Sequence, residues 1–301
     1  TRLKTSLARG KSRSSGGSTG KKPADLPDLS HIYRVEIGLA TKVEEAIARF
    51  ANDPHVIWAQ RDHRQRLDQL PDDPFLHSSG SWGQSYGDLW GLERIRAPEA
   101  WAISRGEGVV VAVVDTGLDY DHPDIAENVW VNPGEDLNHN GAVDDSDWNG
   151  IDDDGNGFID DLRGFDFANS VDADQDGFYD GPDDVNDPDP FDDSGHGTHV
   201  SGTIAALADN GIGIAGVAPR ARIMALKGFP AEGEGLDSVL WRAVLYAARH
   251  GAGVINNSWS CDPLCPDNPL AEEVIRTVHG MGAVVVTSAG NRSNDMFINS
   301  P

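Results

Sequence analysis

The chain has 301 residues, 39% of them hydrophobic and 7% aromatic, which is enough apolar material for a buried core and excludes a wholly disordered chain. No apolar run reaches the roughly eighteen residues of a membrane-spanning helix, and a formal charge of −25 argues against nucleic acid, whose phosphates are recognised by Lys and Arg. The charge is local: 26 acidic residues and one base, Arg163, lie between Asp115 and Asp193, while the remainder carries 23 of each sign.

Residues 1–22 mix Lys and Arg with Ser and Gly and hold few apolar side chains, which predicts a flexible leader. Residues 23–68 read as a small α+β domain. His31 to Ile37 alternates like a strand, Val43 to Phe50 has helical spacing, and His55 to Ala59 reads as a second strand. Residues 69–84, rich in Asp, Pro, Ser and Gly, read as a linker. From residue 85 onward apolar runs alternate with helical patterns. Strands are expected at Val109 to Val114, Ile223 to Leu226, Val254 to Ile255 and Ala283 to Thr287. Helices are expected at Thr198 to Leu207, Leu236 to Ala247 and Leu270 to Val278. This alternation predicts an α/β fold, a parallel sheet with helices on both faces, whose ligands bind at the carboxyl ends of the strands.

Within the acidic stretch, an insert over 127–193, three loops place oxygen ligands at alternate positions ahead of a glycine. The first holds Asp136, Asn138, Asn140, Asp144 and Asp147. The second holds Asp152, Asp154, Asn156, Asp160 and Asp161, and the third Asp172, Asp174, Asp176, Asp180 and Asp183. Alternation puts the oxygens on one side of a tight loop, the glycine makes the sharp turn and the later carboxylates close the shell, so Ca2+ is the expected ligand. In the second loop Arg163 stands where a carboxylate would complete the pattern. Cys261 and Cys265, four residues apart, fit either a small loop-closing disulfide or two free thiols.

Three short motifs carry the chemistry. Asp115-Thr-Gly puts a carboxylate at the end of a buried strand; alone it is a weak signal, since aspartic proteases share it, but they need two copies and an all-β fold. His196-Gly-Thr-His places an imidazole at a helix start with glycines on both sides, and Ser288-Ala289-Gly290-Asn291 ends the last strand with an amide. In this order the motifs resemble the subtilisin-like serine proteases, the subtilases. The resemblance extends to Val254-Ile-Asn-Asn-Ser258-Trp259-Ser260 and Gly216-Val-Ala-Pro219 and covers about residues 85–301.

The resemblance implies a serine endopeptidase acting on polypeptides. Asp115 would orient the imidazole, His196 would be the general base and Asn291 would donate to the oxyanion. The segment Ser258, Trp259, Ser260 would pair with an extended substrate, with Ser288, Ala289 and Gly290 across from it. Ser260 departs from the family's usual Gly and would narrow the specificity pocket. The family's nucleophile lies in Gly-Thr-Ser-Met-Ala, after the oxyanion Asn, and no Gly-Thr-Ser occurs in these 301 residues. The chain is therefore read as the front part of a precursor, inactive alone. By the same resemblance residues 23–68 match part of a propeptide that inhibits the enzyme until removed, with self-cleavage between about Arg64 and Ser81. The product would be secreted or at the cell surface. The competing reading is a non-catalytic calcium-binding or adhesion module on an inactive protease scaffold.

Overall fold

The computed structural model describes residues 33, 35, 37, 41–61, 70–179, 184–231, 233–260 and 268–291. The leader, most of the first expected strand, Cys261, Cys265, Asp180 and Asp183 lie outside them. The chain divides into two compact units, Thr1–Leu67 and Asp68–Pro301.

In the first unit α1 spans Val43–Ala51, as its spacing predicts. Glu44 and Glu45 in the first turn and Arg49 in the last complement the helix dipole. The strand expected at His55 to Ala59 does not form. The Asp53 carboxylate accepts the His55 amide at 2.9 Å and its carbonyl accepts the Val56 amide at 3.0 Å, so the chain closes into a turn and leaves Ile57 and Trp58 exposed.

The second unit is built on five parallel strands: β1 (Val110–Asp115), β2 (Gly164–Asp166), β3 (Arg222–Lys227), β4 (Val254–Asn257) and β5 (Val284–Thr287). Their order across the sheet is β2-β3-β1-β4-β5. β1 is central because it is apolar on both sides. Ala112 and Val114 enter one layer with Leu240, Val244 and Val274, and Val111 and Val113 enter the other with Ile125 and Ala205. Helices α5 (Asp237–Arg249) and α6 (Pro269–Gly280) cover the first layer and α4 (His196–Ala205) the second, so helices flank both faces as expected. Among the described residues no helix is long and apolar enough to cross a membrane.

The structure adds three elements. β2, an edge strand of three residues, is too short for a periodic signal. Helices α2 (Trp90–Arg94) and α3 (Ala97–Trp101) bury Leu92, Ala97 and Trp101 against Ala215. Residues 70–84, polar enough to read as linker, are tied down where they are described: the buried Asp73 accepts the Asp209 amide at 2.9 Å, and Phe75 donates to the Gly213 carbonyl at 3.2 Å.

Candidate active site

β1 delivers Asp115 to the carboxyl end of the sheet, beside the point where the chain, having laid β2 and β3 on one side of β1, crosses to lay β4 on the other. The main chain of Asp115 is held by its carbonyl, which accepts the Gly228 and Phe229 amides at 2.8 and 3.2 Å. Its carboxylate Oδ1 accepts the Thr116 amide at 2.8 Å and lies 2.6 Å from His196 Nδ1. The Asp115 side chain is 3% exposed and that of His196 55%. One ring nitrogen is thus engaged by a buried carboxylate, and Nε2 is left without a protein partner among the described residues.

These residues are 81 apart in sequence, and a second carboxylate brings them together. Asp192 Oδ1 accepts the Ser194 and Gly195 amides and the Thr116 hydroxyl, and Oδ2 accepts the amide and hydroxyl of Thr198. Thr116 Oγ1 in turn accepts the Gly197 amide at 2.9 Å. Asp192 therefore clamps the first turn of α4 to the Asp115-Thr-Gly turn. Burial alone would raise its pKa, but the donors from Thr198, Gly195 and Ser194 outweigh it and hold the carboxyl below its ordinary range. Gly197 is required by close approach: a Cβ there would lie 2.2 Å from the Gly117 carbonyl oxygen.

Lys227 ends β3 in register with Asp115 and is buried. Its Nζ donates to Asp193 Oδ2 at 2.6 Å and lies 3.4 Å from Asp166 Oδ2. Burial opposes the charge on Lys227, yet Asp193 and Asp166 overcome it and raise its pKa, whereas burial drives the Asp166 carboxyl upward. Asp192, Asp193 and Lys227 escape sequence inspection because an Asp in an Asp-rich stretch and a Lys ending a strand carry no distinctive local pattern.

A cleft of about 240 Å³ opens at this place, lined by Asp115, His196, Ser194, Phe229, Ser258 and Trp259 among others. Trp259 packs edge-on against Trp241 of α5, ring centroids 5.4 Å apart, and lies 6.1 Å from the Phe229 ring. Asn256 Nδ2 donates to Ser258 Oγ at 2.9 Å. Ser288 continues the β4 to β5 pairing, donating from its amide to the Asn257 carbonyl and from its hydroxyl to the Trp259 carbonyl, both at 3.0 Å. Ala289 and Asn291 follow in exposed positions, with Gly290 half-buried between them. Asp115, His196, Ser258 and Trp259 thus share one cleft; Ser260, Ser288, Ala289, Gly290 and Asn291 occupy adjoining strand ends outside its lining.

The three acidic loops share one backbone conformation. His139, Gly155 and Gln175, equivalent in the repeat, are left-handed with φ of 56°, 71° and 63°. The glycine two residues on donates in each case to the leading Asp: Gly141 to Asp136 at 2.8 Å, Gly157 to Asp152 at 2.8 Å and Gly177 to Asp172 at 3.2 Å. Beyond that the loops differ. In the first, Asn138 and Asn140 donate to Asp144 and the Leu137 amide to Asp147. In the third, the carboxylates of Asp172, Asp174 and Asp176 converge within 4.8 Å, and Asp172 Oδ1 is buried without a partner.

In the second loop Asp152 and Asp154 converge not with Asp160 or Asp161 but with Glu135, which lies upstream of the motif. Asp160 accepts the Asn149 and Gly150 amides, while Asp161 accepts from Asn132, Asn156 and the Tyr246 hydroxyl. Burial, with Asp161 and Asp154 adding repulsion, pushes the Glu135 carboxyl up to about 7. The oxygen-only donor set and the unpartnered buried oxygens of Glu135 and Asp172 fit a hard divalent cation such as Ca2+.

The sequence has relatives among known proteins. Residues 106–301 match the profile of the subtilase family, Peptidase_S8. The chain is 30% identical over 253 residues to a thermophilic serine proteinase of Bacillus sp. (strain AK1), covering 84% of this chain and 48% of that one. It is 30% identical to thermitase of Thermoactinomyces vulgaris, covering 74% of this chain and 59% of that one. A solved protease structure from Pseudoalteromonas arctica PAMC 21717 aligns with a TM-score of 0.49 and 28% identity, covering 77% of this chain and 62% of the other. The chain spans about half the length of the curated relatives it matches. With the family's profile matched over residues 106–301 and its Asp-Thr-Gly and His-Gly-Thr-His motifs meeting at one cleft, the chain belongs to the subtilase family.

Proposed function

We propose that this chain is the front part of a secreted or cell-surface serine endopeptidase precursor whose nucleophilic serine follows Pro301. The observation that carries the reading is the 2.6 Å contact of His196 Nδ1 with the buried Asp115 carboxylate at the carboxyl ends of parallel strands, with the cleft in front of it. A serine hydroxyl is a poor nucleophile at neutral pH. Nε2 of His196 takes its proton as the oxygen attacks the peptide carbonyl carbon, and returns that proton to the amine nitrogen as the C–N bond breaks; water then repeats the sequence on the acyl ester. Asp115 holds the proton on Nδ1, so that Nε2 is the basic nitrogen, and stabilises the imidazolium. Asn291 donates its amide to the developing oxyanion. An extended polypeptide adds as a strand beside Ser258, Trp259 and Ser260.

A further feature supports continuation of the fold. Val284 and Val286 of β5, 54% and 46% exposed, alternate with Val285, which packs with the α5 and α6 layer. A helix carried by chain beyond Pro301 would cover this apolar face and bring its serine toward His196. Residues 23–68 act in this reading as the propeptide, and calcium held by the acidic insert stabilises the domain between Asp115 and His196.

The test is expression of the reading frame through and beyond Pro301 and reaction with a fluorophosphonate probe. Labelling of one serine after Pro301, abolished by His196→Ala, is expected. A folded, unlabelled protein overturns the reading and leaves a calcium-binding module on a protease scaffold.

A further inference from the structure

The carboxyl edge of the sheet carries a row of charges that the cleft chemistry does not use. Asp166 of β2, Lys227 of β3 and Asp115 of β1 stand in register on neighbouring strands. Residues paired in register leave a sheet on the same face. Here it is the face covered by α4, because Val113 and Ala225, two residues back on β1 and β3, pack in one layer with Ala205. Lys227 is thus a buried ammonium on the strand beside the carboxylate that meets His196.

An apolar residue would suffice to end a strand at this depth, whereas an ammonium out of water is stabilised only by charged partners. Lys227 has two among the described residues, Asp193 Oδ2 at 2.6 Å and Asp166 Oδ2 at 3.4 Å, and Asp115 is left to His196. The two partners are held differently. Asp166 accepts the Ala168 and Asn169 amides and the Asn169 side chain, so its own neighbours fix it. The Asp193 side chain is half exposed, and Lys227 is what reaches it. Lys227 is itself a firm anchor, since its carbonyl accepts the Phe167 and Ala168 amides at 2.8 and 3.1 Å. Asp193 lies three residues before His196, between Asp192, which is tied to Thr116 after β1, and Ser194, which lines the cleft. Gly195 follows in the left-handed conformation at φ 93°, a residue free to turn in either direction. The approach to the imidazole is therefore fastened to two adjacent strand ends, β1 through Asp192 and β3 through Asp193.

We propose that Lys227 is a positioning residue for His196: its ion pair with Asp193 fastens the loop entering α4 to β3, so that the ring meets Asp115 in one orientation. Its consequence for catalysis rests on the proposed function, in which His196 is the base. The orientation itself is a property of the 301-residue chain and needs no nucleophile. A ring held with Nδ1 on Asp115 carries its proton on Nδ1, whereas a ring free to turn takes the tautomer mixture of free imidazole, in which Nε2 carries most of the proton.

Long-range proton–nitrogen NMR of the imidazole, above the pH at which it titrates and assigned with His196→Ala, reads which ring nitrogen holds the proton. The unmodified chain should show the Nδ1–H form. Lys227→Met and Asp193→Ala should each lose it for the free-imidazole mixture, and the double variant should be no worse than either alone. Asp193→Ala removes a half-exposed side chain and so keeps the test decisive if Lys227→Met folds poorly. An unchanged Nδ1–H form in Asp193→Ala overturns the proposal, as does its absence from the unmodified chain. In the full-length protein the same substitutions should lower kcat and leave KM unchanged, because neither residue lines the cleft; a rise in KM alone overturns the positioning role. A full-length protein without proteolytic activity would sink the serine reading while the tautomer readout still decides this one.

Discussion

The Asp115 and His196 pair and the acidic insert solve the same problem, holding carboxylates away from water, by opposite means. At the cleft each buried carboxylate is met by a side chain brought from far along the chain, His196 Nδ1 for Asp115 and the Thr116 hydroxyl for Asp192, whose other donors come from the nearby start of α4. In the insert each loop answers its leading Asp with its own backbone amides and leaves oxygens such as Glu135 Oε2 and Asp172 Oδ1 unanswered. Asp115 Oδ2 is likewise buried without a partner among the described residues, so what sets the insert apart is the convergence of three carboxylates at two of its loops, an arrangement that fits a cation. The two are continuous, since the insert begins after β1 and ends at α4, so disorder in it would act on the spacing of Asp115 and His196.

The largest effect expected at the cleft is chemical. In the full-length protein His196→Ala should lower kcat about 10⁴-fold or more with little change in melting temperature, as read by peptide hydrolysis and calorimetry. A large fall in melting temperature would break the distinction by making His196 a structural residue.

Removal of calcium comes next and should act on the insert first. A site saturated at about 100 times its Kd contributes about 2.7 kcal/mol, which in a domain of this size is about 5–10 °C in melting temperature. Chelator should therefore lower the melting temperature by at least that, and activity with it; an unchanged melt would show that the loops need no cation.

Replacing Gly197 by Ala sharpens the comparison, because it disturbs the cleft without touching a charge. The new Cβ meets the Gly117 carbonyl, and overpacking of this kind costs about 1–3 kcal/mol. Activity should fall while calcium stoichiometry stays the same.

The smallest effect is that of Asp192. Its folded pKa lies below the unfolded one, so its contribution is complete above the ordinary carboxylate pKa of 3.8 and is lost as pH falls through the folded value. Asp192→Ala should cost about 1 kcal/mol at neutral pH. The difference between the two proteins should shrink below about pH 3.8 in acid unfolding followed by circular dichroism.

Much of this was legible in the residues. The apolar run ending in Asp115, the helical spacing of α5 and the three loop repeats are local patterns, and burial on both faces or a tight turn imposes them on consecutive residues. Asp115 and His196 stand out by their glycine-flanked motifs. What local pattern does not contain is which distant group answers which charge. Asp192 and Lys227 look like any Asp and Lys until α4 and β3 are laid beside β1, and Glu135 precedes the loop it joins. The strand expected at His55 to Ala59 failed for the converse reason, an Asp side chain capturing the backbone locally. The sequence by itself determined the α/β class, the motifs and the places where oxygen ligands crowd, because those depend on neighbours in the chain. Tertiary structure alone decided the partners of the buried charges, because a carboxylate out of water is governed by whichever donor or cation the fold brings within about 3 Å.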